Sequence, residues 1–153
     1  MAEDTSEVPS WDELGSDDIS PSERAECQEL IRIEEARDRQ ALPRVLLSMR
    51  SPSAEVRIRA AETLAVIGDS ASADAEQALI SLLSDPHPPV RYAAIETLAT
   101  LGCKSAVPKI IESLQDPQYM LRVAAAESLG YLKDPVALPH LLKVLTDPNQ
   151  VVR

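Results

Sequence analysis

Four pairs, Val56-Arg57, Val90-Arg91, Leu121-Arg122 and Val152-Arg153, divide the chain at intervals of 34, 31 and 31 residues. Their surroundings recur with them. Asp85 to Cys103 reads D-P-H-P-P-V-R-Y-A-A-I-E-T-L-A-T-L-G-C, and Asp116 to Lys133 reads D-P-Q-Y-M-L-R-V-A-A-A-E-S-L-G-Y-L-K. A period in this range means stacked supersecondary units, none of which buries its apolar face alone. Phe is absent and aromatics make up 3% of the residues, so the core between units must be close-packed small aliphatic side chains on helices. The expectation is an all-α fold.

Each unit reads as two helices. The first, helix A, is A-L-P-R-V-L-L-S-M (41–49), A-E-Q-A-L-I-S-L-L (75–83), A-V-P-K-I-I-E-S-L (106–114) and A-L-P-H-L-L-K-V-L (137–145). Pro43, Pro108 and Pro139 fall in its first turn, where a missing N–H costs nothing. Asp-Pro, or Ser51-Pro52 in the first copy, then turns the chain, with the Asp or Ser oxygen expected to cap helix B and the Pro to start it. Gly68 and Gly102 are expected to supply left-handed ends, with Lys133-Asp134-Pro135 as the third stop. Ser70-Ala71-Ser72 lengthens the first connection and should bulge there.

Upstream, residues 1–20 hold seven acidic residues, no Lys or Arg, and Pro9 and Gly15. This predicts a disordered acidic tail. The apolar set Val8, Trp11, Leu14 and Ile19 within it makes either a short docking peptide or a solubilising tail whose Trp11 rests on its own domain. Residues 21–40 read as an N-terminal capping helix, capped by Ser20 or Ser22, with Pro21, Glu23 and Glu26 suited to its first turns. Repeats then occupy 41–69, 75–105, 106–136 and, incompletely, 137–153.

The pattern D-P-x-x-x-V-R-x-A-A-x-E-x-L-x-x-L-G followed by A-x-P-x-L-L-x-x-L resembles HEAT repeats, in the short variety of the phycobilisome bilin-lyase-like family. The resemblance covers about residues 41–153. It implies a right-handed α-α superhelix, a solenoid of about three and a half repeats behind an N-terminal capping helix. It also implies an inter-repeat ladder of Asp and Arg side chains, carried by Asp85 and Arg91, Asp116 and Arg122, and Asp147 and Arg153. Ser51 stands in the Asp place before Arg57, so the first copy departs from that pattern. Members of the family serve as lyase subunits, chaperone-like adaptors and scaffolds, so the resemblance alone selects no function.

The binding face follows from helical geometry. At about 100° per residue, Val90, Ala94, Leu98, Leu101 and Thr97 share one core stripe, while Tyr92, Glu96, Ala99 and Thr100 point away. If B helices line the concave side of the solenoid, the exposed ladder is Ile58, Glu62, Val66; Tyr92, Glu96, Thr100; and Val123, Glu127, Tyr131. The implied partner is another protein offering a basic or apolar segment, although single exposed apolar residues are common on any surface. Glu62, Glu96 and Glu127 form one acidic row. Helices packed ~8–10 Å apart leave neighbouring carboxylates repelling by only ~0.4 kcal/mol in water. The row needs no metal, and a solvated helix-favouring Glu is its other reading.

Charge and motifs exclude several functions. A net charge of −10 argues against nucleic-acid phosphates or anionic lipid as partners. Residues 1–20 carry −7 of it, which leaves about −3 for the rest. Cys27 and Cys103 are too few for a disulfide framework, which points to a reducing, cytoplasmic setting. Neither a signal peptide nor a membrane span is visible. No H-E-x-x-H, G-x-S-x-G or glycine-rich phosphate loop occurs; His87 lies in a turn, His140 on a helix A, and Cys103 at a helix end that does not favour a thiolate. The expectation is no catalytic residue, no metal and no cofactor, with a bilin-lyase-type subunit or tetrapyrrole-handling chaperone as the alternative. Arg153 falls one turn into a fourth helix B, so some of Leu141, Leu142, Val144 and Leu145 should be exposed. That implies a longer solenoid, or self-association through the open last repeat.

Overall fold

A computed structural model describes residues 19–68 and 72–153. Among them all regular structure is helical: α1 (Pro21–Ala36), α2 (Leu42–Ser48), α3 (Ala54–Ile67), α4 (Ala73–Leu82), α5 (Pro88–Thr100), α6 (Val107–Ser113), α7 (Tyr119–Leu132) and α8 (Leu138–Val144). Three short 3-10 turns, Arg39–Ala41, Lys104–Ala106 and Pro135–Ala137, lead into α2, α6 and α8. The tail with Val8, Trp11 and Leu14, and Ser70-Ala71 of the first connection, lie outside the described residues.

Ser20 opens α1 with a capping box. Its Oγ accepts the Glu23 N–H at 3.3 Å, and its own N–H donates to Glu23 Oε2 at 2.7 Å, which satisfies two end groups reciprocally. The helix stops at Ala36 rather than running to residue 40, because Arg37 turns left-handed at φ 49° and Asp38 Oδ1 then accepts the Gln40 N–H at 2.9 Å. Local side-chain bonds of this kind compete with the helix ladder. Ser72 caps α4 by accepting the Ala75 N–H, and Pro43, Pro108 and Pro139 each sit in a first turn.

The B helices start later than the sequence suggests. His87 and Gln118 are the N-cap residues of α5 and α7, and Pro88 rather than Pro86 begins α5. Asp85 and Asp116 stand two residues earlier, where each Oδ1 accepts the N–H of the N-cap residue at 2.9 Å. The Asp therefore builds the turn rather than the cap. Helix ends also differ. Gly102 is left-handed at φ 71° and Lys133 at φ 52°, but Gly68 is extended, with φ −64° and ψ 153°. A side chain at Gly68 would meet the Leu64 carbonyl oxygen at 2.3 Å, so close backbone approach, not handedness, requires glycine there.

Packing proceeds in two layers. The B helices stack in sequence, α1 on α3, α3 on α5 and α5 on α7, while α2, α4 and α6 each lie against the B helix of their own repeat. The contact stripe is i, i+4, i+8 in each copy: Val56, Ala60, Leu64; Val90, Ala94, Leu98; Leu121, Ala125, Leu129, all at most 1% exposed. Alanine at the middle position lets neighbouring helices approach, and the flanking aliphatics each contribute roughly 1.5–3 kcal/mol by burial. Thr97 Oγ1 donates to the Ala61 carbonyl at 3.1 Å across the α3–α5 seam. The stripe is wider than expected. Ile95 and Ala99, the latter read as outward-facing, are buried, whereas Leu101 is only half-buried.

Leu30 and Ile33 of α1 are buried in the same core, so α1 stands against α3 as a cap. At the other end Leu138, Leu142 and Leu145 are 58–59% exposed, while Leu141 and Val144 are partly buried against the core.

Candidate functional site

The arginines form a ladder, with pairing across repeats rather than within them. Arg57 Nε donates to Asp85 Oδ2 at 2.8 Å and Nη2 to Oδ1 at 3.0 Å. Arg91 makes the same fork on Asp116 at 3.0 and 3.2 Å, and Arg122 on Asp147 at 2.8 and 3.0 Å. Each Nη1 instead bonds the turn of its own repeat: Arg57 to the carbonyls of Ser51 and Pro52, Arg91 to those of Asp85 and Pro86, Arg122 to those of Asp116 and Pro117. Each guanidinium thus clamps two successive turns through its planar fork. The first rung is complete despite Ser51, because Arg57 needs only the Ser51 carbonyl and the next repeat's carboxylate. Arg57 is the ladder member that the Asp-x5-Arg pattern leaves out. The recurring apolar-Arg pair already marks it. Arg153 repeats the carbonyl bonds to Asp147 and Pro148 but has no ion pair among the described residues.

On Asp85, burial pushes the carboxyl up, but the hydrogen bonds from Arg57 and the His87 N–H, with the Arg57 charge, outweigh it and hold the group below the ordinary range. The Arg122 hydrogen bond does the same for Asp147, against some burial. Charge-assisted bonds to the ionised form explain both directions.

The face beside the ladder carries a groove of about 880 Å³ between α3 and α5. Ile58, Glu62, Tyr92, Glu96 and Thr100 line it, as five of the nine face residues named from the sequence. Ile19 just ahead of α1, Glu23 in its first turn, Ser53 and His87 at the starts of α3 and α5, and Pro88 and Pro89 in the first turn of α5 also line it. A smaller hollow of about 350 Å³ between α5 and α7 is lined by Glu96, Thr100, Glu127 and Tyr131, with Ala99 and Ser128. Val66 and Val123 line neither; Val66 is 40% exposed and Val123 half-buried. Ile58 and Tyr92, read as exposed, are half-buried because they form the groove walls. Sequence reasoning missed Ile19, Pro88 and Pro89. The Pro pair was visible as a departure from the other copies, but Ile19 enters only because α1 folds back on α3.

The groove is anionic. Glu23, Glu55, Glu62 and Glu96 are in its lining, and no Lys or Arg is. Burial raises the Glu62 carboxyl, and Glu34 and Glu55 add to the rise against Arg59, whose guanidinium is 3.0 Å away. Burial and then Glu127 raise Glu96, and burial with Glu96 and Glu127 raises the Tyr92 phenol. Partial burial and neighbouring carboxylates thus both disfavour the charged forms, an effect that a cation in the groove would offset.

His87 belongs to the first rung, with Nδ1 3.2 Å from Arg57 Nη2 and 3.4 Å from Asp85 Oδ1. Cys103 is buried, and burial followed by Glu76 raises its thiol, as burial raises that of Cys27. Raised thiols make poor nucleophiles. Among the described residues no group of three or more His, Cys, Asp or Glu is placed to hold a metal ion, and no helix is long and apolar enough to cross a membrane.

Comparison with known families agrees with the stacked helix pairs. The family described as HEAT repeats matches residues 76–153, and the PBS lyase HEAT-like repeat matches residues 56–85. No curated protein matches the chain. With half of its length matched by that family, and with paired helices joined by a continuous core, the chain belongs to the HEAT-repeat proteins.

Proposed function

We propose that this protein is a non-enzymatic adaptor whose B-helix face holds a segment of a partner protein. HEAT repeats generally mediate protein–protein interaction. The observation that carries the reading is the 880 Å³ groove on that face, walled by Ile58 and Tyr92 and edged by Glu62 and Glu96. Concave, mostly apolar surfaces with a few convergent polar groups are the usual form of a binding site, and this one sets apolar walls beside exposed carboxylates. The test is to replace Glu62, Glu96 and Glu127 together by Lys and to capture partners from the source lysate. The expected result is loss of the main partner with helical content and Tm nearly unchanged, since all three residues are exposed. Undiminished capture by the triple variant would remove the acidic row from the mechanism.

The PBS lyase HEAT-like match over residues 56–85 favours a second reading, a bilin-lyase-type subunit or tetrapyrrole-handling chaperone. Mixing the protein with a bilin and an acceptor apoprotein discriminates the two, because an adduct with changed visible absorbance belongs to the second alone. Free Cys27 and Cys103 support a reducing, cytoplasmic setting. The exposed Leu138, Leu142 and Leu145 support self-association through the last repeat, and a monomer at every concentration in sedimentation would remove it.

A further inference from the structure

We propose, resting on the groove as a partner site, that an extended segment of a partner protein crosses α5, with an apolar side chain in the groove and a Lys or Arg three residues away held between Glu96 and Glu127. The groove and the smaller hollow are one surface, because Glu96 and Thr100 of α5 line both. Their chemistry differs on the two sides of that ridge. Ile58, Pro88, Pro89 and Tyr92 wall the groove, a setting for an apolar side chain. Glu127 lines the hollow with Glu96, and neither carboxylate makes an ion pair among the described residues. Glu62, on the other wall of the groove, already has the Arg59 guanidinium at 3.0 Å. The cation therefore belongs at Glu96 and Glu127 rather than at Glu62. Burial and then the Glu127 charge raise the Glu96 carboxyl, and a cation between the two offsets the second effect.

Spacing sets the register. Neighbouring packed helices lie ~8–10 Å apart, so the hollow is about one such step from the groove. An extended chain of the polyproline type rises about 3.1 Å per residue with three residues per turn, which puts residues i and i+3 on one face about 9 Å apart. That matches the step. A helix is about 10–12 Å thick with its side chains, as wide as the interval between the walls, so it would ride above the groove where an extended chain enters it. The fit therefore selects apolar-x-x-basic. Neither lining contains Lys or Arg, and the same anionic surface repels nucleic-acid phosphates and acidic peptides.

The experiment titrates the isotope-labelled full chain with three synthetic peptides on Ser-Gly flanks, Leu-Pro-Pro-Arg, Leu-Pro-Pro-Gln and Pro-Pro-Leu-Arg, and follows backbone amide shifts by NMR. Leu-Pro-Pro-Arg is expected to move the groove amides of Tyr92 and Ala93 together with the hollow amides of Glu127 and Ser128. It should bind roughly threefold to tenfold more tightly than the Gln peptide at low salt, with the difference vanishing near 1 M salt. Pro-Pro-Leu-Arg, whose charge is one residue from the anchor, should lose the same factor. In the double variant Glu96→Gln with Glu127→Gln the advantage of Arg over Gln should disappear while the Gln peptide binds as before, and Tyr92→Ala should weaken all three peptides. An advantage that survives the double variant, or a Pro-Pro-Leu-Arg peptide that binds equally well, overturns the register while the groove stands as a partner site. The absence of any groove shift overturns the register and the groove together. Groove amides that move on dilution of the protein alone assign the site to a second copy of this chain, which also overturns the proposal.

Discussion

The seam between α3 and α5 and the seam between α5 and α7 are built from one repeat pattern, yet one opens into an 880 Å³ groove and the other into a 350 Å³ hollow. Their cores are nearly interchangeable: Ala60, Ala94 and Ala125 occupy equivalent buried positions, and Arg57–Asp85 and Arg91–Asp116 tie the two seams alike. What differs lies outside the stripe. Pro88-Pro89 in α5 corresponds to Tyr119-Met120 in α7, and Tyr92 to Val123. The first seam also receives Ile19 and Glu23 from the capping helix, a third wall without a counterpart in the second. The repeat thus makes the scaffold, and departures from the repeat make the site.

The most damaging way to break the comparison is to attack the helix that both seams share. Ala94→Glu would place a charge at a fully buried contact without a partner. The expected outcome is loss of cooperative melting and of much of the helical circular dichroism signal. A variant that melts normally would contradict the packing. Next in size are the rungs. Asp116→Ala leaves the Arg91 guanidinium, 16% exposed, without its carboxylate and should cost about 3 kcal/mol, a fall in Tm on the order of 6–12 °C. Arg153→Ala, which removes no ion pair among the described residues, should cost far less in the same calorimeter.

Affinity sharpens the contrast between the two hollows. Tyr92→Ala should weaken the groove's partner by at least tenfold, about 1.4 kcal/mol or more, whereas Tyr131→Ala in the smaller hollow should change it little. Titration calorimetry with the captured partner checks both, and equal losses would dissolve the distinction.

The smallest effect is the pH dependence. Asp85 and Asp147 ionise below the ordinary range, so the stability they contribute is fully present above about pH 4 and is lost as pH falls through their lowered values. Glu62 and Glu96 are shifted the other way. Their ionisation opposes folding above the raised values, and that penalty is relieved as pH falls through them toward the ordinary carboxylate range. Denaturant midpoints should therefore rise slightly in mild acid before dropping below pH 4. In Asp85→Asn the drop should be shallower, and a drop as steep as the parent's would separate acid unfolding from this rung.

Much of this architecture is legible in the chain itself. Helix A proline positions, the B-helix stripe and the short linkers follow from local rules, and Val90, Ala94 and Leu98 are buried where periodicity puts them. The readings that changed concern contacts between neighbours. Ala99 is buried because adjacent helices cover more than the central stripe, and Gly68 is glycine because a Cβ there would meet the Leu64 carbonyl oxygen rather than because the position is left-handed. Arg57 joins a complete rung because the carboxylate comes from 28 residues downstream.

The sequence by itself determined the repeat, the helical class and the small-residue core, since a period of 31 or 34 residues and a 3.6-residue stripe are properties of the chain read locally. The resemblance to HEAT repeats implied which residue types the ladder uses. Only the tertiary structure decided which aspartate each arginine meets and which of two similar seams opens into a groove. Those outcomes depend on the offset between packed helices and on a capping helix folding back against α3. No local pattern encodes a distance between residues that meet only after the chain has stacked.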